Sequence, residues 1–125
     1  MRSAIGQVRG LGSAGEGVGH WKNQRLTGVA NVILIVWFVF QAVGMTNATR
    51  LDWLEWFASP IHATGMVLLV MSGFWHAALG VQVVIEDYIH CEALKVASLT
   101  ALALVSFALA AAGVVSILML ATGGA

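Results

Sequence analysis

The sequence predicts an all-α membrane protein with three transmembrane helices. Its 125 residues are 59% hydrophobic and 10% charged, with a single proline, and the mean hydropathy is +0.87. A soluble domain of this length carries more charge. Charged side chains are absent between Arg25 and Arg50, from Ala58 to Ile85, and from Val96 to the C-terminus. Each stretch can cross a bilayer core of about 30 Å, which needs about 20 helical residues.

These stretches predict one transmembrane domain with helices at about 26–46, 59–87 and 95–121, within residues 26–122. Helices are favoured because spanning segments must satisfy their backbone groups internally. The first twenty residues are glycine-rich and lack the continuous apolar run of a cleavable signal peptide. Residues 1–25 are therefore predicted to form a cytoplasmic N-terminal arm. One cysteine in the whole chain excludes an internal disulfide and a multi-cysteine metal site within it.

The placement of charge predicts the orientation. The arm carries four basic residues against one acid, and basic segments favour the cytoplasmic side. The N-terminus is therefore predicted to be cytoplasmic, and three spans place the Glu86–Lys95 loop inside and the C-terminus in the periplasm. Six acidic and six basic residues cancel, so net charge gives no support to a nucleic-acid partner, and none is predicted.

The second predicted span carries a histidine in an apolar run. His76 lies deep in the membrane, and Asp87 follows eleven residues later, which is three turns plus about 20°, or about 16 Å along the helix. Ser72, Gly73 and Gly80 flank His76 on the same face. Small residues on such a face allow close helix packing, or they leave room for a flat ligand.

Two interpretations of His76 remain open: an interhelical hydrogen bond, or an axial ligand of haem. Ionisable residues inside a membrane are functional candidates, and a neutral imidazole offers a nitrogen lone pair to iron. His62 is about 21 Å away along the helix, and His20 and His90 fall near the inner interface. A bis-histidine haem would therefore take its second ligand from another chain.

Residues at the inner membrane surface also have alternative roles. Asp87 and Tyr88 could form a solvated helix terminus with an interfacial anchor. They could instead supply a phenol that donates to a quinone carbonyl and a carboxylate that positions it or relays protons. Arg25 could be a topology signal, a partner of Asp87, or a ligand of a haem propionate. Asn31, an amide among apolar positions, is expected to hydrogen-bond another helix.

A set of residues in the second span resembles the D-type membrane anchor of succinate dehydrogenase, complex II, in its alphaproteobacterial form. The set comprises His76, Gly80, Gln82 and Glu86-Asp87-Tyr88. The segment GHWKNQRLTG, residues 19–28, is similar to the one that leads into the first helix of that anchor. The resemblance covers the chain from about Glu16 onward.

The resemblance implies a complex of the bacterial inner membrane with four kinds of subunit. A flavoprotein with FAD oxidises succinate, an iron-sulfur subunit carries the clusters, and two membrane anchors, the C-type and the D-type, share haem b and help to form the ubiquinone-reduction site. It implies that His76 is an axial ligand of the haem iron, Tyr88 binds the quinone beside Asp87, and Arg25 lies near the propionates and the quinone. No succinate chemistry is expected in this chain. Alternatives are the anchor of a fumarate reductase or a redox-inert subunit of a transporter.

Overall fold

The computed structural model describes residues 4–5 and 14–123. Within residues 14–123 the chain forms four helices: α1 at Ala14–Gly44, α2 at Arg50–Ala58, α3 at Pro60–Tyr88 and α4 at Glu92–Ala121. Most of α1 (Val18–Gly44), all of α3 and all of α4 are long and apolar enough to cross a membrane. The predicted all-α fold with three spans is therefore confirmed.

Helix α3 lies between the other two spans. It packs against α1 and α4, whereas no Cα atoms of α1 and α4 come within 8 Å of each other in the described residues. Two glycines allow the close approach. A Cβ atom on Gly65 would lie 2.6 Å from the ring of Trp37 in α1, and one on Gly113 would lie 2.8 Å from Val70 in α3. Glycines at crossings commonly bring membrane helices together.

The first helix begins well before the predicted start at residue 26. It is continuous from Ala14, so the second half of the predicted arm is helical. A helix of 31 residues is about 46 Å long, which exceeds a bilayer core of about 30 Å. Its first turns can therefore extend beyond the hydrocarbon, and the side chains of Lys22 and Arg25 in these turns are exposed.

Helix α2 is an addition to the predicted elements, and a capping box begins it. Thr49 is the N-cap residue, and its hydroxyl donates to Asp52 Oδ2 at 2.7 Å while its backbone N–H donates to the same oxygen at 2.6 Å. The Asp52 N–H donates back to Thr49 Oγ1 at 3.3 Å. The hydrogen bonds from Thr49, first the side-chain one and then the backbone one, hold the pKa of Asp52 below its ordinary value, because they stabilise the carboxylate.

Aromatic side chains fix α2 against the ends of α1 and α3. Trp56 is only 7% exposed, and its Nε1 donates to Gln41 Oε1 at 3.1 Å. Its ring stacks on that of His62 with centroids 4.3 Å apart, and Trp53 and Phe57 pack edge-on against it. Trp53, Trp56, Phe57 and His62 thus form a packed aromatic cluster between α2 and the first turn of α3.

Candidate functional site

His76 faces α1 from the middle of α3. Its Nδ1 lies 3.0 Å from the hydroxyl oxygen of Thr27, 49 positions earlier in the chain. Thr27 is 4% exposed and is the one buried polar residue in the part of the chain that the structure describes. The contact therefore lies inside the α1–α3 interface and not on a free surface.

The surroundings of Thr27 decide which atom donates in this contact. Its Oγ1 lies 2.8 Å from the carbonyl oxygen of Asn23 and 3.2 Å from that of Gln24. Carbonyl oxygens only accept, so the single hydroxyl proton is directed to them, and the oxygen lone pair faces the ring of His76. This arrangement favours the tautomer of His76 that carries its proton on Nδ1. In that tautomer the lone pair of Nε2 is available to a metal ion.

Residues beside this contact bring the two backbones together. A Cβ atom on Gly28 would lie 3.4 Å from His76 Cε1, so the glycine lets the imidazole rest against the backbone of α1. Ser72, one turn before His76, donates from Oγ to the carbonyl oxygen of Thr27 at 3.3 Å. Thr27 and Gly28 therefore form the surface of α1 that the imidazole of His76 contacts.

The small residues that flank His76 lie in different surroundings. A Cβ atom on Gly80 would lie 3.8 Å from Gln24 Nε2, an ordinary contact distance, whereas one on Gly73 would have no neighbour within 4 Å. Gly80 therefore faces α1. Gly73 lines a separate groove with Leu69, Val70, Phe74 and Ala77, and His76 is not among the residues that line it.

An apolar groove of about 590 Å³ opens along α1 beside the imidazole. Its lining comprises Gln24, Arg25, Gly28, Val29, Val32, Ile33 and His76. The valine and isoleucine side chains on this face are exposed, so nothing in the described part of the chain covers them. The guanidinium of Arg25 lies 4.9 Å from the ring centroid of Trp21. The groove thus brings together two predicted site residues, Arg25 and His76.

The other two predicted site residues lie apart from the groove. Asp87 and Tyr88 end α3, and both are exposed, Tyr88 to 78%. The ion pair considered between Arg25 and Asp87 is not formed, because Arg25 rests on the ring of Trp21 in its own helix. Within the described residues the one salt bridge joins Lys95 Nζ to Glu92 Oε1 at 3.8 Å.

Comparison with known proteins identifies the family. Residues 1–123 match the family described as the succinate dehydrogenase/fumarate reductase transmembrane subunit. The chain belongs to this family. The succinate dehydrogenase hydrophobic membrane anchor subunit of Rickettsia bellii (strain RML369-C) is 33% identical over 96 residues, which make up 76% of each chain. The protein of the same name from Rickettsia conorii (strain ATCC VR-613 / Malish 7) is 31% identical over the same share. No solved structure gives a significant match.

Membership in the transmembrane-subunit family confirms the predicted resemblance. It also sets aside the alternative of a transporter subunit, because residues 1–123 match the respiratory family. With three apolar helices and bacterial relatives, the chain is a multi-pass protein of the bacterial inner membrane.

Three more polar residues of this transmembrane protein lie on the same stripe of α1 as Thr27. Among the described residues, His20 Nε2, Gln24 Oε1 and Asn31 Oδ1 are buried without a hydrogen-bond partner. Their positions, with Thr27 between them, follow the helical repeat of three and four residues. The predicted interhelical hydrogen bond of Asn31 is therefore not made by its Oδ1 within the described chain. Buried polar atoms normally have partners, so this stripe is suited to water or to a second molecule.

The sequence reasoning missed Thr27, although the residue lies in the segment quoted for the family resemblance. A threonine inside a helix usually bonds to the carbonyl four residues earlier, and Thr27 does so as well. Nothing in that local pattern distinguishes it from an ordinary helical threonine. Its contact with His76 is visible only once the two spans are packed together.

The groove fits one axial ligand of a haem. It offers a histidine nitrogen with a free lone pair, apolar walls, and a guanidinium suited to a propionate. The described residues contain no group of three or more His, Cys, Asp or Glu side chains that could hold a metal ion by themselves.

Proposed function

We propose that the chain is the D-type hydrophobic anchor of a bacterial succinate:ubiquinone oxidoreductase, binding haem b and helping to form the ubiquinone site. The family match and the names of the relatives support the enzyme complex. The observation that carries the haem assignment is the 3.0 Å contact between His76 Nδ1 and Thr27 Oγ1. It leaves Nε2, the other ring nitrogen, for the iron.

Three residues of the groove have a proposed role toward haem b. His76 supplies one axial ligand, Gly28 lets the imidazole lie against α1, and Arg25 offers its charge to a propionate. Haem, when bound, supplies a one-electron centre within the membrane. The exposed apolar face of Val29, Val32 and Ile33 is available to a partner helix.

The second axial ligand is proposed to come from the second membrane anchor. His62 donates from Nδ1 to the carbonyl oxygen of Trp56 at 2.9 Å, in the aromatic cluster near α2. His20 lies at the N-terminal end of the span Val18–Gly44, and His90 follows the end of α3. His76 is thus the one histidine that the described helices hold at mid-membrane depth.

Asp87 and Tyr88 are proposed to serve the ubiquinone site at the inner end of α3. The phenol of Tyr88 is exposed and can donate a hydrogen bond to a quinone carbonyl. The neighbouring carboxylate of Asp87 can orient the phenol or relay a proton. The iron-sulfur protein would deliver the electrons, and the flavoprotein with its FAD would carry the succinate chemistry.

The test is a dithionite-reduced minus oxidised visible spectrum of the purified complex. The wild-type complex should show a low-spin b-type signal, and His76→Ala should lose it. His90→Ala, which removes an exposed histidine outside the helices, is the matched control and should retain the signal. An unchanged spectrum in His76→Ala would refute the ligand assignment.

The family description also includes fumarate reductase. The names of the relatives favour succinate dehydrogenase. Turnover of the purified complex with ubiquinone, compared with a quinone of lower potential, separates the two enzymes. Faster succinate oxidation with ubiquinone is expected.

A further inference from the structure

We propose that Thr27 is a positioning residue for the iron ligand. Its hydroxyl accepts the Nδ1–H of His76, fixes the tautomer that presents Nε2, and strengthens electron donation from the ring to the metal. The inference rests on the proposed role of His76 as a haem ligand. It extends that role to a side chain on another helix, which acts through His76.

The geometry around Thr27 makes its hydroxyl a fixed acceptor. The oxygen lies within hydrogen-bond distance of the carbonyl groups of Asn23 and Gln24, both in its own helix. A β-branched side chain in a helix has few rotamers, and Thr27 is 4% exposed. The hydroxyl proton therefore stays on the carbonyl side, and the lone pair stays on the side of His76.

A second bond holds the same segment in register with α3. Ser72 Oγ donates to the carbonyl oxygen of Thr27 at 3.3 Å, so side chain and backbone of Thr27 are both tied to the helix that carries His76. Ser72 lies four positions before His76, which places the two on one face of α3. Rotation of α3 about its axis would break both contacts together.

The chemical consequence concerns the basicity of the ligand. A ligating imidazole whose other N–H donates a hydrogen bond is oriented by it and becomes a stronger donor to the metal. Because the Thr27 hydroxyl itself donates to a carbonyl, its oxygen is polarised toward accepting. A more electron-rich ligand stabilises oxidised iron more than reduced iron. Thr27 should therefore lower the potential of the haem and slow its loss.

The experiment uses the intact complex with three substitutions. Thr27→Val keeps the shape and removes the acceptor, Thr27→Ser keeps the hydroxyl and removes a methyl group, and Thr100→Val is the control on an exposed threonine of α4. Two quantities are measured: the midpoint potential of the haem, and the rate of haem transfer to apomyoglobin.

Thr27→Val should raise the midpoint potential and increase the haem loss rate by about 10- to 100-fold, the usual effect of removing such a partner. Thr27→Ser should restore both quantities toward the wild-type values, and Thr100→Val should leave them unchanged. Thr27→Ala, which adds no atoms, is judged by the same criteria if the valine variant does not assemble.

Unaltered potential and haem loss in Thr27→Val would overturn the inference. A faster loss without a shift in potential, or one that serine does not rescue, would also overturn it, because packing alone would then explain the result. The proposed function is tested separately by His76→Ala: if that variant keeps the b-type signal, the ligand assignment fails. If His76→Ala loses the signal while Thr27→Val behaves as wild type, only the role of Thr27 fails.

Discussion

The rings of Trp56 and His62 lie parallel, 6° apart in orientation and 4.3 Å between centroids, so the short helix α2 is stacked on the first turn of α3. The backbone adds to this contact, because His62 Nδ1 lies 2.9 Å from the carbonyl oxygen of Trp56. Trp53, Trp56, Phe57 and His62 form this outer cluster, which is separate from the groove at His76. Changes in the cluster should therefore affect assembly and stability before they affect haem.

Loss of the Gln41 amide should destabilise the outer cluster. Gln41→Leu leaves the Nε1–H of Trp56, a residue 7% exposed, without its acceptor. An unsatisfied buried donor costs about 1–3 kcal/mol, so the thermal midpoint of the detergent-solubilised complex should fall. Gln82→Leu is the control, because the Gln82 amide bonds only to exposed Glu86. Equal midpoints in the two variants would contradict the prediction.

Substitution of Asp52 should make the stability of the complex depend less on pH in the acidic range. The folded-state pKa of Asp52 lies below its ordinary value of 3.8. The stabilising contribution of the Asp52 carboxylate is therefore present above pH 3.8, and it is lost as the pH falls through 3.8 and then through the lower folded-state pKa. Asp52→Asn should therefore lower the thermal midpoint near neutral pH, and the difference from wild type should shrink toward about pH 3. Glu55→Gln, on the same helix but outside the capping box, is the control. A difference in thermal midpoint between wild type and Asp52→Asn that stays constant with pH would contradict this prediction.

Gly65→Ala should loosen the packing of α1 on α3. The added methyl would lie 2.6 Å from the ring of Trp37, and overpacking of this kind costs about 1–3 kcal/mol. The same interface carries the contact between Thr27 and His76, so haem occupancy per complex should also fall. Gly44→Ala, where a Cβ atom meets nothing within 4 Å, should leave stability and haem occupancy unchanged. Wild-type behaviour of Gly65→Ala would show that the ring of Trp37 has room to move.

Tyr88→Phe should separate quinone reduction from succinate oxidation. A lost hydrogen bond of about 1.5 kcal/mol corresponds to roughly tenfold in rate, so succinate:ubiquinone activity should fall by about that factor or more. Succinate oxidation with an artificial electron acceptor should persist, because it bypasses the membrane site. Loss of both activities would indicate failed assembly and not a role in quinone binding.

The sequence predicted the spans because hydrophobicity is a local property. Charge-free stretches reach nearly the observed ends of α3 and α4. Helix α2 escaped prediction because it is short and carries charge, although its capping box at Thr49 is also a local pattern. The start of α1 was placed too late, because polar residues such as Gln24 and Arg25 are good helix formers that can continue a helix outside the hydrocarbon. Asp87 and Tyr88 as quinone-site residues stay a prediction.

By itself, the sequence determined that the chain crosses the membrane three times and that a histidine lies near the middle of the second span. Those features follow from composition and helical spacing alone. Only the tertiary structure brings Nδ1 of His76 within 3.0 Å of a hydroxyl that lies 49 positions away in the chain. The rotation of α1 against α3, set by contacts such as that of Gly65 with Trp37, determines which side chains meet. No pattern within a single helix contains that rotation. The contact between the imidazole of His76 and α1 therefore depends on how α1 and α3 pack together.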